Sequence, residues 1–227
     1  MIGRRPALLL LALAVVAAPA LAKTDWTTTI SATPQGGILI GNPAAKVRVV
    51  EFASYTCSHC KAFHDEGLPA LKAKYVGTGN VSFEQRSFVR NGPDFSASLL
   101  VACQPPAPAL AFAGKLFAEQ DNWTKPFIAM TDADNQAITA LPQAQQPARL
   151  AEIAGLDKWA DANGLPLAKA RACLLDQAAQ DKLLAVRRDA MTTYKLEATP
   201  TFGINGAPVT GVYDWASLEP KVQAALK

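Results

Sequence analysis

The sequence predicts an α/β fold in which a strand–helix–strand unit and a terminal strand–strand–helix unit flank a long helical insert. Three observations predict it. An apolar, β-branched run at residues 46–53 leads directly into a Cys-x-x-Cys pair that opens a helical pattern. Residues 96–194 are rich in Ala, Leu, Lys and Gln and poor in β-branched residues. Strand signals return at residues 201–210, around an Asn-Gly hairpin signal.

The N-terminus stands outside this frame. Arg4 and Arg5 form a short basic region, residues 8–18 are almost wholly apolar, and Ala20-Leu21-Ala22 has the small-x-small pattern of a cleavage site. That is the anatomy of a secretory signal. The apolar run is shorter than the ~20 residues that span a bilayer. Residues 1–22 are therefore expected to be cut off after Ala22, leaving a periplasmic protein. Lys23 stands where a lipid-anchored protein would need Cys. Without Arg4 and Arg5, the 22 basic residues of the whole chain fall to 20 against 19 acidic ones, a net of +1. This balance gives no electrostatic footprint for nucleic acid and no polybasic patch for a membrane surface. The remaining length suits one core carrying a substantial insertion: a sheet-bearing domain of residues 23–93 and 197–227, and a helical domain of residues 94–196 inserted into it.

Residues 46–53 are apolar on both faces, as in a covered central strand. Asn42-Pro43 marks a turn before it, and residues 38–40 read as a short edge strand. From Cys57 to Tyr75 the pattern is helical, with Phe63, Leu68, Leu71 and Tyr75 as core contacts and a kink expected at Pro69. Residues 81–89 form the next strand, which completes a βαβ unit. Helices follow at 96–103, 107–119, 147–163 and 167–194, punctuated by Pro105-Pro106 and Asn163-Gly164; residues 135–145 read as a short helix or a loop. At the end, residues 201–204 and 207–210 pair through Asn205-Gly206, and Asp214 caps a last helix running through Leu226.

The chemistry concentrates at Cys57-Ser58-His59-Cys60. Two intervening residues at a helix start bring the sulfurs within bonding reach. The first sulfur faces unpaired backbone N–H groups and the positive end of the helix dipole, which favours a thiolate. Cys57 is then the attacking sulfur and Cys60 the resolving one. A protonated or hydrogen-bonding His59 would stabilise the Cys57 thiolate further. Zinc would need four ligands, and the sequence offers no second Cys-x-x-Cys and no paired histidines. Haem attachment needs His after Cys60, where Lys61 stands. A purely structural disulfide at Cys57 and Cys60 stays open. No metal and no cofactor are called for.

Glu51 shares a strand face with Val47 and Val49. If that face is covered, the carboxylate is desolvated and could accept or return the proton of Cys60; otherwise it sits at the solvent edge of the strand. Thr199-Pro200 opens the strand 201–204. Cys103 and Cys173 read as a structural staple between two helices, with a second redox pair as the alternative. His64 reads as a surface or packing residue.

The run Gly41-Asn-Pro-Ala-Ala-Lys-Val-Arg-Val-Val-Glu-Phe-Ala-Ser-Tyr-Thr-Cys-Ser-His-Cys resembles the opening of DsbA-like proteins of the thioredoxin superfamily, and Ala198-Thr-Pro-Thr-Phe-Gly-Ile-Asn-Gly resembles their cis-proline segment. The resemblance covers nearly the whole chain after the signal. It implies a thioredoxin fold, β-α-β … β-β-α, with a helical insertion domain. It implies thiol–disulfide oxidoreductase activity at Cys57 and Cys60, with Glu51 as the buried acid. It makes Pro200 the cis-proline, with Thr199 and Pro200 binding an extended substrate segment by strand addition. Its partners would be unfolded or reduced secreted proteins and a DsbB-like membrane protein that reoxidises the site. The chain departs from the strong oxidase of that family in carrying Ser-His between the cysteines, and Thr199 is commoner in the isomerase relatives. Those relatives have an N-terminal dimerisation domain for which the stretch after Lys23 leaves no room, so a monomeric oxidant is expected. An isomerase or reductase kept reduced by another membrane partner, and a non-catalytic peptide-binding module, are the alternatives.

Overall fold

The computed structural model describes residues 24–227; the expected signal segment, residues 1–22, lies outside the described residues. Six strands, β1 (Ile30–Ala32), β2 (Ile38–Gly41), β3 (Val47–Ala53), β4 (Val81–Ser87), β5 (Thr201–Ile204) and β6 (Ala207–Val209), form one mixed sheet in the order β1-β2-β4-β3-β5-β6. The most apolar strand, β3, lies inside it and is buried at every position but Arg48. It pairs in parallel with β4 and antiparallel with β5. Residues 38–40 are not at the edge, as the sequence suggests: β2 is paired on both sides, and the edge belongs to β1. Three residues of modest burial carry too little pattern to read as a strand.

Parallel pairing of β3 and β4 needs a crossover. It is supplied by α1 (Ser58–Ala62) and α2 (Leu68–Lys74), joined by a π-helical turn at Phe63–Gly67. The irregularity thus falls just before Pro69, the second residue of α2. Gly67 allows a close approach there. A Cβ on it would stand 2.6 Å from the Phe63 ring and 2.9 Å from Cβ of Trp215.

Between β4 and β5 run α3 (Gly92–Ala102), α4 (Pro106–Ala118), α5 (Gln120–Ile128), α6 (Asp132–Thr139), α7 (Gln146–Ile153), α8 (Leu156–Ala162), α9 (Leu167–Leu174) and α10 (Gln177–Thr193). Two long helices of the sequence reading are each divided. Gly155, at φ +72°, separates α7 from α8. Asp176 starts α10 afresh by accepting the Ala179 N–H. Residues 135–145 resolve into the end of α6, opened by a capping box of Thr131 and Asp134, and a short 3₁₀ turn. α5 is absent from the sequence reading because Pro126 interrupts its pattern. The last helix, α11 (Trp215–Leu226), is capped by Asp214, whose Oδ1 accepts the Ser217 N–H at 2.8 Å.

Strand alternation divides the core. Val47 and Val49 face Phe63, Leu71, Leu218 and Val222 of the layer formed by α1, α2 and α11. Val50 and Phe52 face Ala190 of α10 and Tyr194 and Leu196 just after it. A larger cluster, including Leu99, Leu116, Phe117 and Leu174, extends from the helices to Cys57 and Cys60. Full burial of each such side chain contributes ~1.5–3 kcal/mol. Cys103, after α3, and Cys173, in α9, are disulfide-bonded with their Cα atoms 5.8 Å apart.

Candidate redox site

β3 ends at Ala53, and after three intervening residues Cys57 caps α1 in an extended conformation. Because β5 runs antiparallel beside β3, with Phe52 opposite Thr201, the residues that enter β5 meet those that leave β3. Thr199 and Pro200, joined by a cis peptide bond, therefore lie against Cys57. The Cys57 thiol donates to the Thr199 carbonyl oxygen at 3.2 Å. Cys60 is fully buried one turn into the helix, and its sulfur accepts the Ser54 N–H at 3.5 Å. Cys57 and Cys60 are both free thiols in this structure.

The two sulfurs are driven in opposite directions. The Cys60 thiol, with help from Thr199 and the backbone N–H groups of Cys60 and His59, holds the Cys57 thiol down to about 5 against the opposing effect of burial. Burial pushes the Cys60 thiol far up, and the facing Cys57 sulfur and Glu51 carboxylate add to it. The difference arises because one sulfur faces the donors of a helix start and the other faces the core. His59 is exposed; what it offers Cys57 is its backbone N–H.

Glu51 is wholly buried on the β3 face that looks towards α1 and α2. Its Oε2 lies 2.8 Å from Nε2 of His64, and its Oε1 has no hydrogen-bond partner. His64 is a half-buried packing residue: its ring stacks on Phe117 with centroids 3.9 Å apart. Nothing in the sequence links these two residues, because the contact is made between a strand and a helix packed across it.

The helices between β4 and β5 also brace the site. The buried Asp94 carboxylate of α3 accepts the Tyr55 N–H at 2.8 Å and the Arg90 N–H at 2.9 Å. Burial raises the Asp94 carboxyl to about 6. Gln120, the first residue of α5, donates through Nε2 to the carbonyls of Tyr55 and Cys57 at 2.8 and 3.1 Å. The loop that presents Cys57 is therefore fixed at its backbone from two helices. Sequence reasoning missed both residues. Asn91-x-x-Asp94 was legible as a capping pattern, since Asn91 Oδ1 accepts the Asp94 N–H, but Gln120 carries no signal. Beside Cys57 opens a hollow lined by Phe88, Met191 and Leu196, with Arg90, Arg187 and Glu197 supplying charge. Arg90 Nη1 donates to the Thr199 hydroxyl at 3.4 Å. Such a site can hold a thiolate and break or form one disulfide.

Comparison with known proteins points the same way. The family model described as thioredoxin matches residues 33–224. The crystal structure of a protein-disulfide isomerase from Novosphingobium aromaticivorans is 34% identical, with a TM-score of 0.79 over 85% of this chain and 98% of that one. Wolbachia pipientis alpha-DsbA1 shares the fold at 22% identity and a TM-score of 0.66, over 86% of this chain and 93% of that one. A Rickettsia felis protein named as a protein-disulfide oxidoreductase is 26% identical over 84% of this chain. The chain spans 60% of that protein's length and 66% of its Rickettsia bellii counterpart's.

Proposed function

The chain belongs to the thioredoxin family, and on that premise we propose that it is a DsbA-like thiol–disulfide oxidoreductase that donates disulfides to reduced secreted proteins from an oxidised Cys57–Cys60 pair. The observation that carries this reading is the Cys57 thiol, held down to about 5 beside a buried Cys60. A thiolate so stabilised favours the reduced form, and a pair that prefers to be reduced is an oxidant.

A substrate thiolate attacks Cys57 Sγ, the Cys57–Cys60 bond breaks, and the electron pair passes to Cys60. A second substrate thiolate then attacks the substrate sulfur of the mixed disulfide and releases Cys57 as a thiolate. Thr199 and Pro200 bind the substrate backbone, Glu51 handles the proton of Cys60, and His59 supports the Cys57 thiolate. Cys103 and Cys173 are the structural pair. The sheet-bearing unit of residues 23–93 and 197–227 carries the cysteines, and the insert of 94–196 braces them through Asp94 and Gln120. The setting is the periplasm, reached with a signal cleaved after Ala22. Reoxidation falls to a DsbB-like membrane partner, and the enzyme works as a monomer. Among the described residues no helix is long and apolar enough to cross a membrane.

A second reading, isomerase or reductase, is favoured by one observation: the 34% identical neighbour is named a protein-disulfide isomerase. The reduction potential of Cys57–Cys60 in a glutathione buffer, measured on a variant lacking Cys103 and Cys173, separates the two. A value near the about −120 mV of a strong disulfide oxidant supports donation. A value at or below about −230 mV assigns the site to reduction or reshuffling.

A further inference from the structure

We propose that His64 is the proton port of the redox site, exchanging protons between Glu51, buried below the cysteines, and water at the α2 surface. The inference rests on the disulfide-exchange reading and adds a residue to it.

Exchange leaves Cys60 with an electron pair and a need for a proton in a place water does not reach. Glu51 can supply one, but its own carboxylate is wholly buried, and a group so buried has no direct route to bulk water. Its Oε1 is unpartnered, while Oε2 engages His64 Nε2 at 2.8 Å. His64 also lines a surface hollow with Thr27, Leu68, Pro69 and Lys72. One ring therefore touches both the buried carboxylate and the outside. With Nε2 committed to Glu51, Nδ1 is the nitrogen left for water. Imidazole is the side chain that gains and loses a proton between pH 5 and 8.

The surroundings leave this role to His64. β3 presents Glu51, and α4 presents the uncharged Phe117 ring. On the helix itself, Lys61 and Asp65 are paired with each other at 2.6 Å, and Glu66 is exposed. Lys72 and Thr27 share the outer hollow, and the Thr27 N–H donates to the Asp25 carboxylate.

The substrate thiolate forms a bond to Cys57 Sγ, the Cys57–Cys60 bond breaks, and the electron pair moves to Cys60 Sγ. Cys60 takes a proton from the Glu51 carboxyl and becomes a thiol. The Glu51 carboxylate is reprotonated from the His64 imidazolium, which recovers its proton from water. The Cys60 thiol is the net proton acceptor, and the solvent is the net donor.

The test is single-turnover reduction of the oxidised protein by dithiothreitol from pH 5 to 8, followed by thiolate absorbance and scaled to the dithiothreitol thiolate present. His64→Gln keeps a hydrogen bond to Glu51 but carries no proton. It is expected to slow reduction at least ~10-fold, less than the ~10²–10⁴ of direct acid–base catalysis because Glu51 remains. It is also expected to lose the inflection that the wild type shows in this range. In His64→Ala, added imidazole is expected to restore the rate. Equal rates for His64→Gln and wild type at every pH overturn the proposal, as does a loss that imidazole does not restore. Should His64→Ala fail to fold, the His64→Gln profile decides alone. A wild type that dithiothreitol reduces but that exchanges no disulfide with a reduced protein overturns the proposed function, and the port falls with it.

Discussion

Cys57 and Cys60 are separated by two residues, yet their chemistry diverges because a helix start and a helix interior are different solvents. Cys57 meets donors that point out of the first turn, and Cys60 meets the core. The consequence is a pH dependence with a definite sign. The Cys57 thiol falls from its ordinary 9.0 to about 5 in the folded protein. Its contribution to the stability of the reduced form is therefore complete above about 9 and is lost as pH falls through about 5. Denaturant melts of the reduced protein should show stability rising relative to Cys57→Ser from pH 5 to pH 9, with the two curves parallel below about 5. A constant gap across that range would mean Cys57 is an ordinary thiol. The thiolate at Cys57 was legible from Cys-x-x-Cys at a helix start. The partner of Glu51 was not, because alternation along β3 fixes which face Glu51 occupies and says nothing about which helix residue lies across from it.

At the scale of elements, the site is made by antiparallel pairing of β5 with β3. The pairing places the Thr199-Pro200 entry of one strand beside the exit of the other. Asn205-Gly206 turns the chain into β6, with both residues at positive φ, +50° and +84°. These mirror-image turn angles suit the twist of paired strands. α11 then packs on the face that holds α1 and α2, and its start depends on Asp214, whose carboxylate accepts from Ser217 N–H and Oγ. Asp214→Ala should destabilise the protein by about 1 kcal/mol, read as a lower midpoint in urea with the slope unchanged. An unchanged midpoint would mean that packing alone holds the helix start. The boundary set by Asp214 was legible. Division of the long helical stretches at Gly155 and Asp176 was not, since composition there favours helix on both sides of each break.

Over the whole molecule, a disulfide ties parts of the helical insert to each other, and side chains of the insert hold the loop that carries the nucleophile. Cys103–Cys173 closes a loop of 70 residues within the helical stretch. Replacing both by Ser should cost about 4 kcal/mol in the chain-entropy view, measured as a fall in unfolding free energy, with disulfide exchange at Cys57–Cys60 retained. Loss of exchange in that variant would instead mark the pair as a second redox centre. Asp94 and Gln120 hold the backbone of residues 55–57 from α3 and α5, so the helices fix the position of the nucleophile as well as enclosing it. What the sequence determined by itself was local or periodic: the apolar strand, the Cys-x-x-Cys that follows it, the hairpin, the final cap and the order of β and α segments. Those features follow from backbone preference and side-chain alternation, which are written along the chain. Only the tertiary structure decided that His64 meets Glu51, that Gln120 clasps the Cys57 carbonyl and that β2 is an inner strand. Each of these contacts joins residues of different elements, and which ones meet is set by how strands and helices pack across one another.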